Sequence, residues 1–193
     1  MSDGPASRAD RLSRLHAGIL TCRACRLHES RTHAVPGEGD VLNRVMLIGE
    51  APGEQEDLKG KPFVGRSGRF FDELLARHGF ARRDVFITSS VKCRPPGNRD
   101  PKRDEWSTCG DQWLWRQVDL VNPVLIVLMG KIAIRQSLGE TGPLRTVHGC
   151  IREQDGRRFL LTYHPTAGMR FPYARRAMDE DFTVAEAFLA RGG

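Results

Sequence analysis

Four of the five cysteines fall in segments that also hold arginine, glycine or proline: Cys22 and Cys25 in TCRAC, Cys93 in VKCRPPGNR and Cys109 in WSTCGD. The N-terminal stretch lacks the basic-then-apolar order of an export signal, so disulfides are not expected and thiols gain weight as metal or redox ligands. Four thiolates suit zinc and iron–sulfur centres equally, and spacing leaves both open. The competing reading is four unrelated thiols. The loop between Cys93 and Cys109 carries Pro95, Pro96, Gly97 and Pro101 and has little means of ordering itself. A metal centre gripping both its ends would fix it against the N-terminal pair. Cys150, alone in HGCIRE, reads as a small buried hydrophobe.

A second set of residues carries acid–base chemistry. The run LIGEAPGEQEDLKGKPFVGRSG (residues 47–68) begins as an apolar strand and breaks at once into glycine, proline and acid. A catalytic carboxylate, a phosphate cradle and a plain turn all begin this way. The run lacks the GK[ST] lysine of a phosphate-binding loop. Glu50 directly follows the apolar residues, Ala51 and Gly53 are small enough to let backbone amides approach a ligand, and Pro52 stiffens the turn. His164 opens HPTAGMR at the end of another apolar run, where a neutral imidazole can reach a leaving group.

These segments need a scaffold. Leu12, Leu15 and Ile19 have helical spacing over 9–20, and residues 1–14 are expected to fray or lack order. Continuous apolar runs at 45–48, 85–88, 124–128 and 159–163 predict four buried strands. Helical patterns at 67–78, 105–121, 131–138 and 173–190 alternate with them, with Trp113, Leu114 and Val118 turned inward in the second. The pattern predicts one domain over 1–193, a three-layer α/β sandwich around a mainly parallel four-stranded sheet. In such sheets ligands bind beyond the carboxyl ends of the strands. The segments after Gly49, Ser89 and His164 all begin there, which points to a single site.

Composition agrees with an ordinary globular domain: 193 residues, 39% hydrophobic, 28% charged, with no run long and apolar enough for a membrane span. A cytoplasmic location is expected. The net charge of +6 suits a phosphate backbone through counterion release. The bland alternative is solubility.

Taken jointly, GEAPGEQED (49–57), KPFVGRSG (61–68), VKCRPPGNRDP (91–101) and HPTAGMR (164–170) resemble the family 4, iron–sulfur uracil-DNA glycosylases over about residues 15–188. The resemblance implies a monofunctional repair enzyme that flips uracil out of single- or double-stranded DNA and hydrolyses its N-glycosidic bond. It implies a monomer, with a [4Fe–4S] cluster on Cys22, Cys25, Cys93 and Cys109 and zinc as the lesser alternative. His164 would stabilise the uracil anion at O2, and Glu50 would face the sugar or the attacking water. Phe63 would stack on the base, and Asn98 would contact base or water. Gly49, Ala51 and Gly53 would line the pocket, Met169 would wedge into the vacated gap, and Arg170 would hold a phosphate.

One position departs from the family. Where it usually carries asparagine, ITSSVKC has Ser89, a single hydroxyl in place of an amide that matches both N3–H and O4 of uracil. Weaker uracil binding or a shifted base preference is expected. Two rivals follow: a cluster-bearing protein that binds DNA or damaged bases with little catalysis, and a nucleotide hydrolase holding a metal on Glu50, Glu54, Glu56 and Asp57.

Overall fold

The continuous apolar runs form strands β1 (Val45–Gly49), β2 (Val85–Ser89) and β3 (Leu125–Met129), every residue of which is buried. Strands β4 (Ile151–Gln154) and β5 (Arg157–Thr162) complete a five-stranded sheet of order β2-β1-β3-β5-β4 in the computed structural model, which describes residues 5–192. All neighbours are parallel except β4 and β5. The expected four-stranded sheet is corrected by β4, a polar edge strand exposed along most of its length. Its signal was present: Asp155 and Gly156, both at positive φ, are the Asp-Gly turn of a two-residue hairpin. An edge strand needs no apolar run, so a search for buried strands passes over it. Cys150, expected to be buried, precedes this edge and is exposed.

Helices cover both faces of the sheet. In chain order they are α1 (Pro5–Leu20), α2 (Glu54–Lys59), α3 (Arg66–Arg77), α4 (Arg103–Cys109), α5 (Trp115–Val121), α6 (Lys131–Leu138), α7 (Leu144–Val147), α8 (Pro165–Arg170) and α9 (Pro172–Ala190). Alternate strand residues enter opposite cores, as the two-residue period requires. Met46, Ile48, Phe86, Ile126 and Leu128 pack with Leu15, Ile19, Leu114 and Val118 of α1, the turn before α5, and α5. Val45, Leu47, Val85, Ile87 and Val127 pack with Phe71, Leu74, Met178 and Phe182 of α3 and α9. The three layers follow from this division.

Order extends further toward the N-terminus than expected. Helix α1 starts at Pro5, Leu12 is buried in the core, and Arg8 Nη1 donates to the Leu120 carbonyl at 3.3 Å. The remainder of the expected frayed block, residues 1–4, lies outside the described residues. The single helix expected over 105–121 is divided by a π-helical turn, Gly110–Leu114, directly after Cys109. Leu114 and Val118 point inward as expected, while Trp113 is half-buried against the same core.

Register decides where the site forms. Gly49 stands opposite Ser89 and Met129 opposite Thr162, so the carboxyl ends of β1, β2, β3 and β5 finish at one rim. The chain leaves β1 toward β2 on one side, with β3 on the other. Such a reversal opens a crevice at the strand ends.

Candidate active site

The crevice is a cleft of about 930 Å³ lined by Glu50, Ala51, Gly53, Phe63, Ser89, Asn98, Gly130, Lys131, Tyr163, His164, Arg170 and Phe171, among others. Eight of the ten non-cysteine residues singled out in the sequence therefore meet in one space. Gly49 and Met169 are not in the lining. Gly49 acts from behind: a Cβ there would stand 2.7 Å from Phe63 Cζ, so its absence lets the Phe63 ring lie on the end of β1. Met169 is partly buried against the α3–α9 core rather than facing the cleft.

Glu50 is held by groups that sequence reasoning did not identify. Its Oε1 accepts the Ile132 N–H at 3.0 Å, at the start of α6. A Cβ on Gly130 would fall 2.6 Å from the same oxygen, and Gly130 has φ +96, so glycine is required twice over. Burial pushes the Glu50 pKa up, while the Ile132 amide and Lys131 oppose that shift. The available signal was LIVLMGK, where β3 ends on glycine just as β1 does.

Phe63 is buried and adopts φ 49, the left-handed region that few non-glycine residues enter. Such strain persists only where neighbours enforce it. Glu56 Oε1 accepts the Val64 and Gly65 amides at 2.8 Å each, and Arg82 Nη2 donates to the Pro62 carbonyl at 2.5 Å. A Cβ on Gly68 would lie 2.0 Å from Phe63 O, so the second glycine of GRSG permits the turn. The ring rests 5.3 Å from Phe71 and 5.9 Å from His164, centre to centre. The residue also lines the cleft.

His164 caps α8. Its Nδ1 accepts the Thr166 N–H at 3.2 Å, which leaves the ring proton on Nε2. Burial pushes the pKa down to about 4, so the imidazole is neutral at physiological pH and Nε2–H is a donor. Asn98 is exposed, left-handed at φ 55, and its Oδ1 accepts Arg94 Nε at 2.7 Å; the amide nitrogen remains free to donate. Ser89 is buried at the end of β2 and belongs to the cleft lining. The Gly53 amide, expected to face a ligand, donates to Glu56 Oε2 at 3.2 Å.

The acidic cluster of the hydrolase rival is otherwise engaged. Glu56 is tied to three backbone amides, and Asp57 is buried accepting the Thr32 and His33 amides. Its carboxylates brace the two turns and do not converge with Glu50 on one point. The loop after Cys93 also has more internal order than its prolines suggest. Arg99 makes a bidentate pair with buried Glu105 at 2.8 and 2.6 Å, holding that carboxyl below its usual range, and Lys131 pairs with Asp100 at 2.6 Å.

The four cysteines share one electrostatic neighbourhood at the far end of this loop. Cys22 and Cys25 act on Cys93, and Cys93 and Cys25 act on Cys109. Among the described residues, no three His, Cys, Asp or Glu side chains already stand at metal-holding spacing. The surroundings nevertheless suit thiolates. Arg31 Nη1 donates to Cys93 Sγ at 3.0 Å and Trp113 Nε1 to Cys22 Sγ at 3.2 Å. Fully buried Lys92 lies beside Cys93 and Cys109, its pKa lowered to about 8 by burial. Burial pushes Cys109 up to about 12, so a thiolate there needs a cation. The donor set and its N–H and ammonium partners fit a thiolate-bound metal centre.

Comparison with known proteins agrees with this geometry. The family model of the uracil DNA glycosylase superfamily matches residues 36–188. A type-4 uracil-DNA glycosylase of Archaeoglobus fulgidus is 40% identical over 85% of this chain and 86% of its own length. One from Thermotoga maritima is 39% identical, covering 91% and 93%. A type-5 uracil-DNA glycosylase of Pyrobaculum aerophilum is more distant, at 31% over 81% and 77%. With the whole rim, from Glu50 to His164, inside the matched span, the chain belongs to the type-4 branch of the uracil DNA glycosylase superfamily.

Proposed function

We propose that this protein is a monofunctional DNA repair glycosylase that hydrolyses the N-glycosidic bond of uracil in DNA and leaves an abasic site. One observation carries the reading: a neutral imidazole with its proton fixed on Nε2 shares a cleft with a half-buried carboxylate and a constrained phenylalanine face. An extruded uracil stacks on Phe63. As the bond to C1′ breaks, negative charge develops on O2 and the sugar becomes oxocarbenium-like. His164 Nε2–H donates to O2, and the Glu50 carboxylate offsets the positive sugar. Water adds to C1′, its proton passes to solvent or to Glu50, and uracil leaves as an anion that is then protonated. Asn98 donates through its free amide nitrogen, Ser89 contributes its hydroxyl to the base edge, and Arg170 holds a phosphate.

Cys22, Cys25, Cys93 and Cys109 would hold an iron–sulfur cluster, [4Fe–4S] on the family resemblance, with zinc as the alternative. When bound, the centre supplies a clamp that joins the N-terminal pair to the loop over 93–109. The chemistry at uracil is done by the rim residues alone.

A single-uracil oligonucleotide tests the reading. Free uracil and strand breaks that appear only after alkali are the expected products. His164→Ala is expected to lose about 10²–10³-fold in excision, as for removal of one oxyanion donor. Full activity in that variant would overturn the role of His164, and breaks without alkali would overturn the monofunctional reading.

A further inference from the structure

Six large apolar side chains are well exposed among the described residues, and the two aromatic ones lie together. Phe171, which lines the cleft, is 42% exposed, and Tyr173 is 55% exposed. Their rings stack with centres 5.6 Å apart and planes 21° from parallel. Tyr173 meets Tyr163 edge-on at 6.0 Å, and Tyr163 lines the cleft beside His164. The Arg170 guanidinium carbon, also in the cleft lining, stands 5.9 Å from the Phe171 ring centre. Tyr163, Tyr173 and Phe171 thus form one aromatic cluster at the cleft, with a cation beside it.

The exposure is built into the backbone. Phe171 joins α8 to α9 in extended conformation, φ −126 and ψ 121, as the following Pro172 demands. Its N–H donates to Ala167 O at 2.8 Å and its carbonyl accepts Arg175 N–H at 3.1 Å. The Phe171 backbone is thus tied to both helices, and its ring and that of Tyr173 stand exposed where the two helices join. Single exposed apolar residues are ordinary, whereas a fixed, stacked pair at a cleft mouth marks a binding surface. Two flat rings flanked by a guanidinium match a nucleobase joined to its phosphate, because every base offers a π face.

We infer that Phe171 and Tyr173 form a stacking platform for bases that adjoin the extruded nucleotide on an unpaired strand, with Arg170 on the intervening phosphate. The inference rests on the glycosylase reading of the cleft. In a duplex the neighbouring bases stay stacked on one another, so the platform serves single strands.

The test compares the parent protein with Phe171→Ala, Tyr173→Ala and the conservative Phe171→Trp. Substrates are a single-uracil strand, alone and paired opposite guanine. A second probe is an uncleavable strand carrying 2-aminopurine beside 2′-fluorinated deoxyuridine. The alanine variants should raise KM on the single strand about 5- to 150-fold, the range of one lost base stack. They should change KM on the duplex far less and leave inhibition by free uracil intact, and Phe171→Trp should restore the single-strand value. The 2-aminopurine signal should be quenched by the parent and not by the alanine variants. Equal losses on both substrates, weakened uracil inhibition, or unchanged quenching would overturn the platform. If the parent protein excises nothing, the glycosylase reading fails by itself, and the 2-aminopurine signal still decides the platform.

Discussion

Gly130→Ala probes the support of Glu50 most directly. The new Cβ would stand 2.6 Å from Glu50 Oε1, 2.8 Å from Cδ and 3.1 Å from Cγ, and the first two are too close to stand without a shift of the carboxylate. The backbone at φ +96 adds strain of about 1–3 kcal/mol for a non-glycine residue. The carboxylate must swing away and lose the Ile132 amide, a hydrogen bond to a charged group worth about 1.5–3 kcal/mol. Together these give a loss of about 3–5 kcal/mol, which lowers Tm by roughly 10 °C in a chain of this size. Urea unfolding of a double-mutant cycle with Glu50→Ala separates the two parts. In the Glu50→Ala background only the backbone strain remains, so the coupling should be about 1.5–3 kcal/mol. Uracil excision by Gly130→Ala should fall alongside stability, because the carboxylate has been turned from the sugar. An equal cost of Gly130→Ala in both backgrounds, or undiminished excision, would refute the placement of Glu50 against α6.

Three further outcomes are expected. Ser89→Asn should raise uracil excision and sharpen discrimination against cytosine, read from single-turnover rates on matched strands; an unchanged rate and selectivity would show that Ser89 is not a base contact. His16 and His164 both have folded pKa values lowered to about 4 by burial, below the ordinary 6.5, so the unfolded chain takes up protons first. Their contribution is therefore intact above pH 6.5 and declines as pH falls to 4, by up to about 3 kcal/mol each. Substituting either by a non-titrating residue should flatten the urea midpoint over that interval, and an unaltered slope would contradict the burial. A purified preparation should be brown, absorbing at about 400 nm through thiolate-to-iron charge transfer. Arg31→Ala, which removes the donor to Cys93, should bleach faster under chelator, and a colourless zinc protein would overturn the iron assignment.

How much of this was legible depended on which residues speak for themselves. The strands at 45–48, 85–88 and 124–128 announced themselves because residues buried on both faces leave unbroken apolar runs. Edge strand β4 is polar and was visible only through Asp155-Gly156. Glu50 and His164 could be singled out because each follows a strand end in unusual company, and Phe63 through the resemblance of KPFVGRSG to the family. What held them could not. Gly130 and Ile132 are distant in sequence from Glu50 and become its neighbours only through the β1–β3 pairing. The strain at Phe63 likewise depends on Glu56, Gly68 and Arg82, whose roles appear only when their partners are known. Cys150 shows the opposite error: residue type suggested burial, and position at a sheet edge decided against it.

The same distinction explains the character of the rim. A chain of net charge +6 suggests a positive pocket, yet the cleft lining mixes both signs, with Glu50, Glu56, Asp100 and Glu140 beside Arg99, Lys131, Arg135 and Arg170. Several arginines near it are already paired: Arg82 with Asp72 and Glu38, Arg99 with Glu105, and Arg94 with Asn98. A cation beside the sugar would oppose an oxocarbenium-like transition state, whereas a neutral imidazole lends a proton to the leaving base without that penalty. Burial keeps His164 uncharged, and the Thr166 amide selects the tautomer. Positive charge is useful further out, where Arg170 borders the cleft and phosphates would pass. Affinity for the strand and catalysis at the base thus call for opposite electrostatics, and pairing Arg99 with Glu105 and Lys131 with Asp100 offsets cations that line the cleft.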